Sequence, residues 1–177
     1  MKEPKILEEK EIYQKEWITI KSISLQFPNG NIAKWYYPDL GEAVTIVPVT
    51  ENLEVYLVKE WRAAWKRPVL QIPAGVCKAQ DEEGRIQQAR TELMQEIGFD
   101  CKNIEKLCST YNAGRTKLQF HNYLATELFE SKKQSDENEY LEVIKMPIDD
   151  AIDLFLTKEE SPGFTLLGLL VAKEKLK

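Results

Sequence analysis

The chain has 177 residues, 43% of them apolar and 30% charged, with a formal net charge of −5. That balance excludes a disordered polar chain and a membrane-dominated one, and it suits one compact domain with a small N-terminal addition. Acidic and basic residues are interspersed, so the basic stripe of a nucleic-acid surface is missing and a polyanionic ligand must be met by local cations or a metal ion.

Met1 to Lys5 lead into Glu/Lys-rich sequence instead of the apolar stretch of a secretory signal, and no later run is long enough to span a bilayer. A cytoplasmic location without membrane contact is the expectation. Cys77, Cys101 and Cys108 follow no C-x-x-C spacing and are expected to be reduced thiols.

From Ile6 to Asp39 the pattern is that of strands, with a hairpin turn at Pro28-Asn29-Gly30-Asn31 before Ile32 to Tyr37. Residues 1–40 are therefore expected to form a small N-terminal antiparallel β-sheet, and 41–177 the main domain. Ala43 to Val49 and Leu53 to Val58 are β-branched apolar runs on either side of a turn at Thr50-Glu51-Asn52, as central strands are. Val69 to Ile72 is a third run, ending at Pro73-Ala74-Gly75. Beyond it the period becomes helical, with Ile86, Ala89, Leu93 and Ile97 forming an apolar stripe that stops near Gly98. Strands are predicted around 107–111 and 118–125, a polar loop over 131–139, and a strand over 141–146. Pro147 can open a helix through Leu156, and Ser161-Pro162 precedes a C-terminal amphipathic helix.

Opposite the apolar stripe of the first helix stand Glu92 and Glu96. Four residues apart, they project from one face at a separation of about 6 Å. Two carboxylates at that spacing suit a hard dication, although the same spacing is common on solvated helix faces. What raises this pair above that reading is its position just beyond a strand and the Pro73-Ala74-Gly75 turn.

The segment resembles the box of the Nudix hydrolase family, G-x5-E-x7-R-E-U-x-E-E-x-G-U, with U a bulky apolar residue. Glu92, Leu93, Glu96, Gly98 and Phe99 match it, and Glu83 has the x7 spacing. Thr91 stands in place of the Arg, Gln95 in place of the first Glu of the E-E pair, and seven residues instead of five separate Gly75 from Glu83. Further stretches are similar to the ADP-ribose pyrophosphatase branch. Glu11 to Tyr37 resembles its N-terminal sheet, Glu60-Trp61-Arg62 its Q-[YF]-R segment, and Leu70 to Gly75 its L-E-x-P-A-G run, with Gln71 for the Glu. Asp136 to Glu139 resembles its glutamate-rich loop.

The resemblance implies an α/β/α sandwich with a mixed sheet, plus the N-terminal antiparallel sheet, and a homodimer. It implies hydrolysis of the diphosphate of a nucleoside-diphosphate sugar, ADP-ribose foremost, with Mg²⁺, for which Mn²⁺ can substitute. Glu92, Glu96 and the backbone carbonyl of Ala74 would hold the metal, with Gln95 and Glu83 as further candidates. Glu137 or Glu139 would take the proton of the attacking water. Arg62 would meet the phosphates, for which its planar fork is suited, the alternative being a surface arginine beside a tryptophan. Trp35 or Tyr37 would stack on the adenine. A GDP-mannose-type hydrolase and a catalytically weak or inactive domain that binds nucleotide or regulates a partner are the competing readings, the second favoured by Thr91, Gln95 and Gln71. Arg90 is a candidate stand-in for the missing box arginine. His121 is expected to be structural, and the four tryptophans to lie more often in core or interface than at a ligand.

Overall fold

A computed structural model describes residues 1–111, 114–131, 141–158 and 161–177. Two compact units are formed, Met1–Glu42 with Thr110–Gln119, and Ala43–Ser109 with Phe120–Lys177.

In the first unit, β1 (Lys5–Lys15) and β2 (Ile18–Gln26) pair antiparallel, and β2 pairs antiparallel with the first half of β3 (Ile32–Pro48). The turn between β2 and β3 is closed by the Gly30 N–H on the Phe27 carbonyl at 2.8 Å, with Gly30 at φ +87°, a conformation that costs glycine little. Lys21 and Lys117 both hold the Asp39 carboxylate, at 2.7 and 3.0 Å. Every residue of β1 is exposed.

The sequence reading places separate strands on either side of residue 40, whereas β3 runs without a break from Ile32 to Pro48. Gly41, at φ +71°, absorbs the local irregularity that would otherwise end it. Hydrogen bonding therefore follows the order β1-β2-β3-β8-β7, with β6 also on β3, and the N-terminal strands are not a sheet of their own.

The second unit contains the rest of β3, β4 (Glu54–Arg62), β5 (Arg67–Gln71), β6 (Ala74–Cys77), α1 (Glu82–Ile97), most of β7 (Phe99–Tyr111) and of β8 (Lys117–Glu130), β9 (Leu141–Pro147), α2 (Ile148–Thr157) and α3 (Gly163–Lys175). A second, three-stranded antiparallel sheet has the order β5-β4-β9. The protein is thus α/β, with a mixed six-stranded sheet and a smaller antiparallel one.

Strand alternation sorts the core into two clusters. Val44 and Ile46 of β3 and Tyr123 and Ala125 of β8 pack with Ala89, Leu93 and Ile97 of α1. Val47 and Leu124, from the same strands but the opposite parity, pack with Val55 and Leu57 of β4, Ile152 and Phe155 of α2, and Leu169 and Ala172 of α3. Helices accordingly cover both faces of this part of the sheet.

Trp17, Trp35, Trp61 and Trp65 are 47% to 66% exposed in the single chain, so of the expected core or interface placement the core half fails. Smaller aliphatic side chains fill the core, because β3, β4 and β8 contribute Val, Ile, Leu and Ala at the inward positions. His121 is buried, with its Nδ1 2.9 Å from the Ser109 hydroxyl, a satisfied structural histidine. All three cysteines are free thiols, and burial pushes Cys101 up to about 11. No helix among the described residues is long and apolar enough to cross a membrane.

Candidate active site

The helix α1 begins and ends on strong local signals. The Asp81 carboxylate accepts the Gly84 N–H at 2.8 Å, Glu82 and Glu83 lie in the first turn where the helix dipole favours acids, and Gly98 closes the last turn at φ +77°. Its inner stripe, Ala89, Leu93 and Ile97, is buried. Glu96, expected opposite this stripe, is instead buried with it, because a spacing of seven brings it back to within about 20° of Ala89, and a buried carboxylate requires polar partners.

One of those partners is the backbone of β6. The Ala74 N–H donates to Glu96 Oε2 at 3.3 Å. One residue on, the Glu92 carboxylate lies against Gly75 so closely that a methyl group at that position would overlap it. Glycine leaves room there for the acidic side chain, which occupies the place of a Cβ. Glu92 Oε1 also accepts from the Gln88 side-chain amide at 2.7 Å. Ala74 and Gly75, expected in a turn but forming the start of β6, therefore meet the two carboxylates of α1 at one place.

The N-terminal end of the same helix is anchored to the sheet. Glu82 accepts from the Tyr123 hydroxyl at 2.8 Å and from Lys106 Nζ at 2.7 Å, tying α1 to β8 and β7. The Lys106 bond holds the Glu82 carboxyl below its usual range against the opposing effect of burial, with Tyr123 adding to the lowering. Burial, then the bond to Glu82, pushes the Tyr123 phenol well up.

The remaining candidates are dispersed. Glu83 is exposed in the first turn, nine residues before Glu92 and so about 13 Å along the helix axis, too far to share an ion with it. Gln95 is half-buried on α1. Arg62, at the end of β4, is paired with Glu60 at 2.8 Å. Trp35 and Tyr37 lie on β3 in the first unit, where the Tyr37 hydroxyl donates to Glu9, a bond that with burial raises the phenol to about 12. Glu137 and Glu139 lie outside the described residues.

Two polar neighbours of Glu92 face elsewhere. The Thr91 hydroxyl donates to the Gln87 carbonyl at 3.0 Å. Arg90 is bound to Asp100 at 2.6 Å and to the Cys101 carbonyl at 2.7 Å, so it does not stand in for a cation at position 91. Its rotation of about 100° from position 91 carries it toward β7. Gln71 is buried, and its amide nitrogen has no hydrogen-bond partner among the described residues.

Among the described residues, no group of three or more His, Cys, Asp or Glu side chains is placed to hold a metal ion. Glu92 and Glu96 form a two-carboxylate set beside backbone. Such an all-oxygen donor set fits a hard dication that keeps part of its water shell, and the cradle at Gly75 seats one of its carboxylates.

No family model matches the chain. The ADP-ribose pyrophosphatase of Bacillus subtilis (strain 168) is 32% identical to it over 163 residues, covering 88% of this chain and 87% of that protein. The chain belongs to the Nudix hydrolase family. This Nudix chain is also similar to the methanol dehydrogenase activator of Bacillus methanolicus, 26% identical over 99% of this chain and 96% of that one. The ADP compounds hydrolase NudE of Escherichia coli (strain K12) is 24% identical over 100% and 95% of the two chains. The crystal structure of an ADP compounds hydrolase superposes with a TM-score of 0.87 at 22% identity, covering 99% of the Nudix chain described here and 95% of the other, which shows a shared fold.

Sequence reasoning missed Gln88 and Glu82. Gln88 stands four residues before Glu92 on the same face, a spacing that was available as a signal. Glu82 is indistinguishable from Glu83 by residue type.

Proposed function

We propose that the protein is a Mg²⁺-dependent Nudix pyrophosphatase that cleaves the diphosphate of ADP-ribose to AMP and a sugar phosphate. The observation that carries this reading is the convergence of Glu92 and Glu96 on Ala74 and Gly75. Two of the similar proteins described above, an ADP-ribose pyrophosphatase and an ADP compounds hydrolase, support the substrate class.

Glu92, Glu96 and the Ala74 carbonyl would hold the metal, with Gln95 offering an amide oxygen; Glu83 is set aside because of its distance along α1. When bound, Mg²⁺ neutralises diphosphate oxygens and makes a water more acidic. Glu137 or Glu139 takes the proton of the attacking water, whose oxygen bonds to one phosphorus as the bridging P–O bond breaks and the other phosphate leaves. Arg62, oriented by Glu60, offers its fork to phosphate oxygens. Trp35 or Tyr37 stacks on the adenine. The protein acts as a cytoplasmic homodimer through its N-terminal strands, a role consistent with the exposed Ile6, Leu7, Ile12 and Tyr13 of β1.

A second reading, a Nudix domain that binds nucleotide or regulates a partner with little or no turnover, is favoured by Thr91, Gln95 and Gln71 and by the similarity to a methanol dehydrogenase activator. A metal-dependent hydrolysis screen across nucleotide sugars, with Glu96→Gln as control, separates the readings. The proposal expects AMP release from ADP-ribose, faster than monophosphate release from GDP-mannose and lost in Glu96→Gln. Faster release from GDP-mannose would move the substrate to that class, and no release from any sugar nucleotide would leave the binding module.

A further inference from the structure

The second glutamate of a metal pair is useful only if its carboxylate is held, since a free glutamate samples many rotamers and loses them on binding. Of the polar side chains beside Glu92 on α1, Thr91 is committed to the Gln87 carbonyl and Arg90 to Asp100 and the β7 backbone. Gln88 instead donates its amide to Glu92 Oε1 at 2.7 Å from the preceding turn of the same face. On its other side the same carboxylate is seated against the Cβ-less Gly75.

We infer that Gln88 is a positioning residue that, with Gly75, clamps the Glu92 carboxylate in the orientation in which it receives a divalent cation. The inference rests on the reading of Glu92 and Glu96 as a metal pair. A neutral amide suits the task, because it fixes one carboxylate oxygen by a directional hydrogen bond without adding a cation beside an incoming dication. Removing an outer partner of this kind typically costs about tenfold or more in metal affinity.

The test is Mn²⁺ binding to the full chain without nucleotide, by paramagnetic resonance or calorimetry, for wild type, Gln88→Met, Gln88→Ala and Glu96→Gln, with Gln87→Met as a neighbouring control. Methionine keeps the length and helix preference of glutamine and removes only the donor. The expected result is a dissociation constant raised about tenfold in both Gln88 variants, with unchanged melting temperature, and no change in Gln87→Met. In steady state the Mg²⁺ concentration for half-maximal rate should rise by the same factor, while KM for nucleotide at saturating Mg²⁺ stays put. If Gln88→Met and Gln88→Ala bind Mn²⁺ within twofold of wild type while Glu96→Gln does not bind, the clamp is wrong and the metal pair stands. A wild type that binds no Mn²⁺ overturns both.

Discussion

The carboxylate of Glu92 occupies the volume that a Cβ on residue 75 would fill, so Gly75 and Glu92 are matched as cradle and occupant. The contact joins β6 to the helix that follows it. It also explains a glycine for which backbone conformation supplies no reason, since Gly75 is not among the glycines with positive φ.

Gly75→Ala should therefore spare the fold and displace the carboxylate. The added methyl meets the far end of a flexible side chain, so the stability change should stay within about 1 kcal/mol, while hydrolysis of ADP-ribose falls by roughly 100-fold. A thermal melt beside a hydrolysis assay checks both halves. Retention of full activity would show that Glu92 works equally well in another orientation.

Position 95 offers the opposite change. Gln95→Glu adds a carboxylate to the half-buried helix face next to Glu96 and strengthens attraction for a dication. Turnover at limiting Mg²⁺ is expected to rise by about threefold to tenfold, measured as initial rate against metal concentration. In a binding module with no catalysis the rate would remain at background.

Glu82 connects stability to pH. Its carboxyl is held low chiefly by Lys106, against burial and with help from Tyr123, so its ionised form is favoured in the folded state. The sign follows from that direction. The contribution is complete above the ordinary carboxyl value of 4.5 and disappears as pH falls through the lowered folded value. Glu82→Gln should be less stable than wild type at pH 7 by about 1 kcal/mol or less, because the Glu82 side chain is 44% exposed and its ion pair is screened. Urea unfolding at pH 7 and at pH 3 should show the gap narrowing in acid, and a gap that widens there would refute the assignment.

Much of the architecture was legible because its signals are short-range. Gly98 after the helix and the stripe of Ala89, Leu93 and Ile97 locate α1, and Pro147 and Pro162 mark where α2 and α3 begin. Pro28 to Asn31 marked the β2–β3 hairpin, which the Gly30 hydrogen bond closes. The continuity of β3 through Gly41 was not legible, since a glycine in a run of strand residues marks a break and a bulge equally well. Nor was the exposure of the tryptophans, which depends on how much of the core volume the aliphatic residues of β3, β4 and β8 already fill.

By itself the sequence determined that Glu92 and Glu96 share a helix face, because 3.6 residues per turn leaves no other outcome for a spacing of four. Only the tertiary structure decided which groups meet them. Glu82 and Glu83 are the same residue about 100° apart on one helix, and the rotation of α1 over the sheet gives Lys106 and Tyr123 to the first and solvent to the second. The same rotation turns Arg90 toward β7 and seats Glu92 beside Gly75, a choice made by the burial of Ala89, Leu93 and Ile97 against β3 and β8 and thus by contacts far apart in the chain.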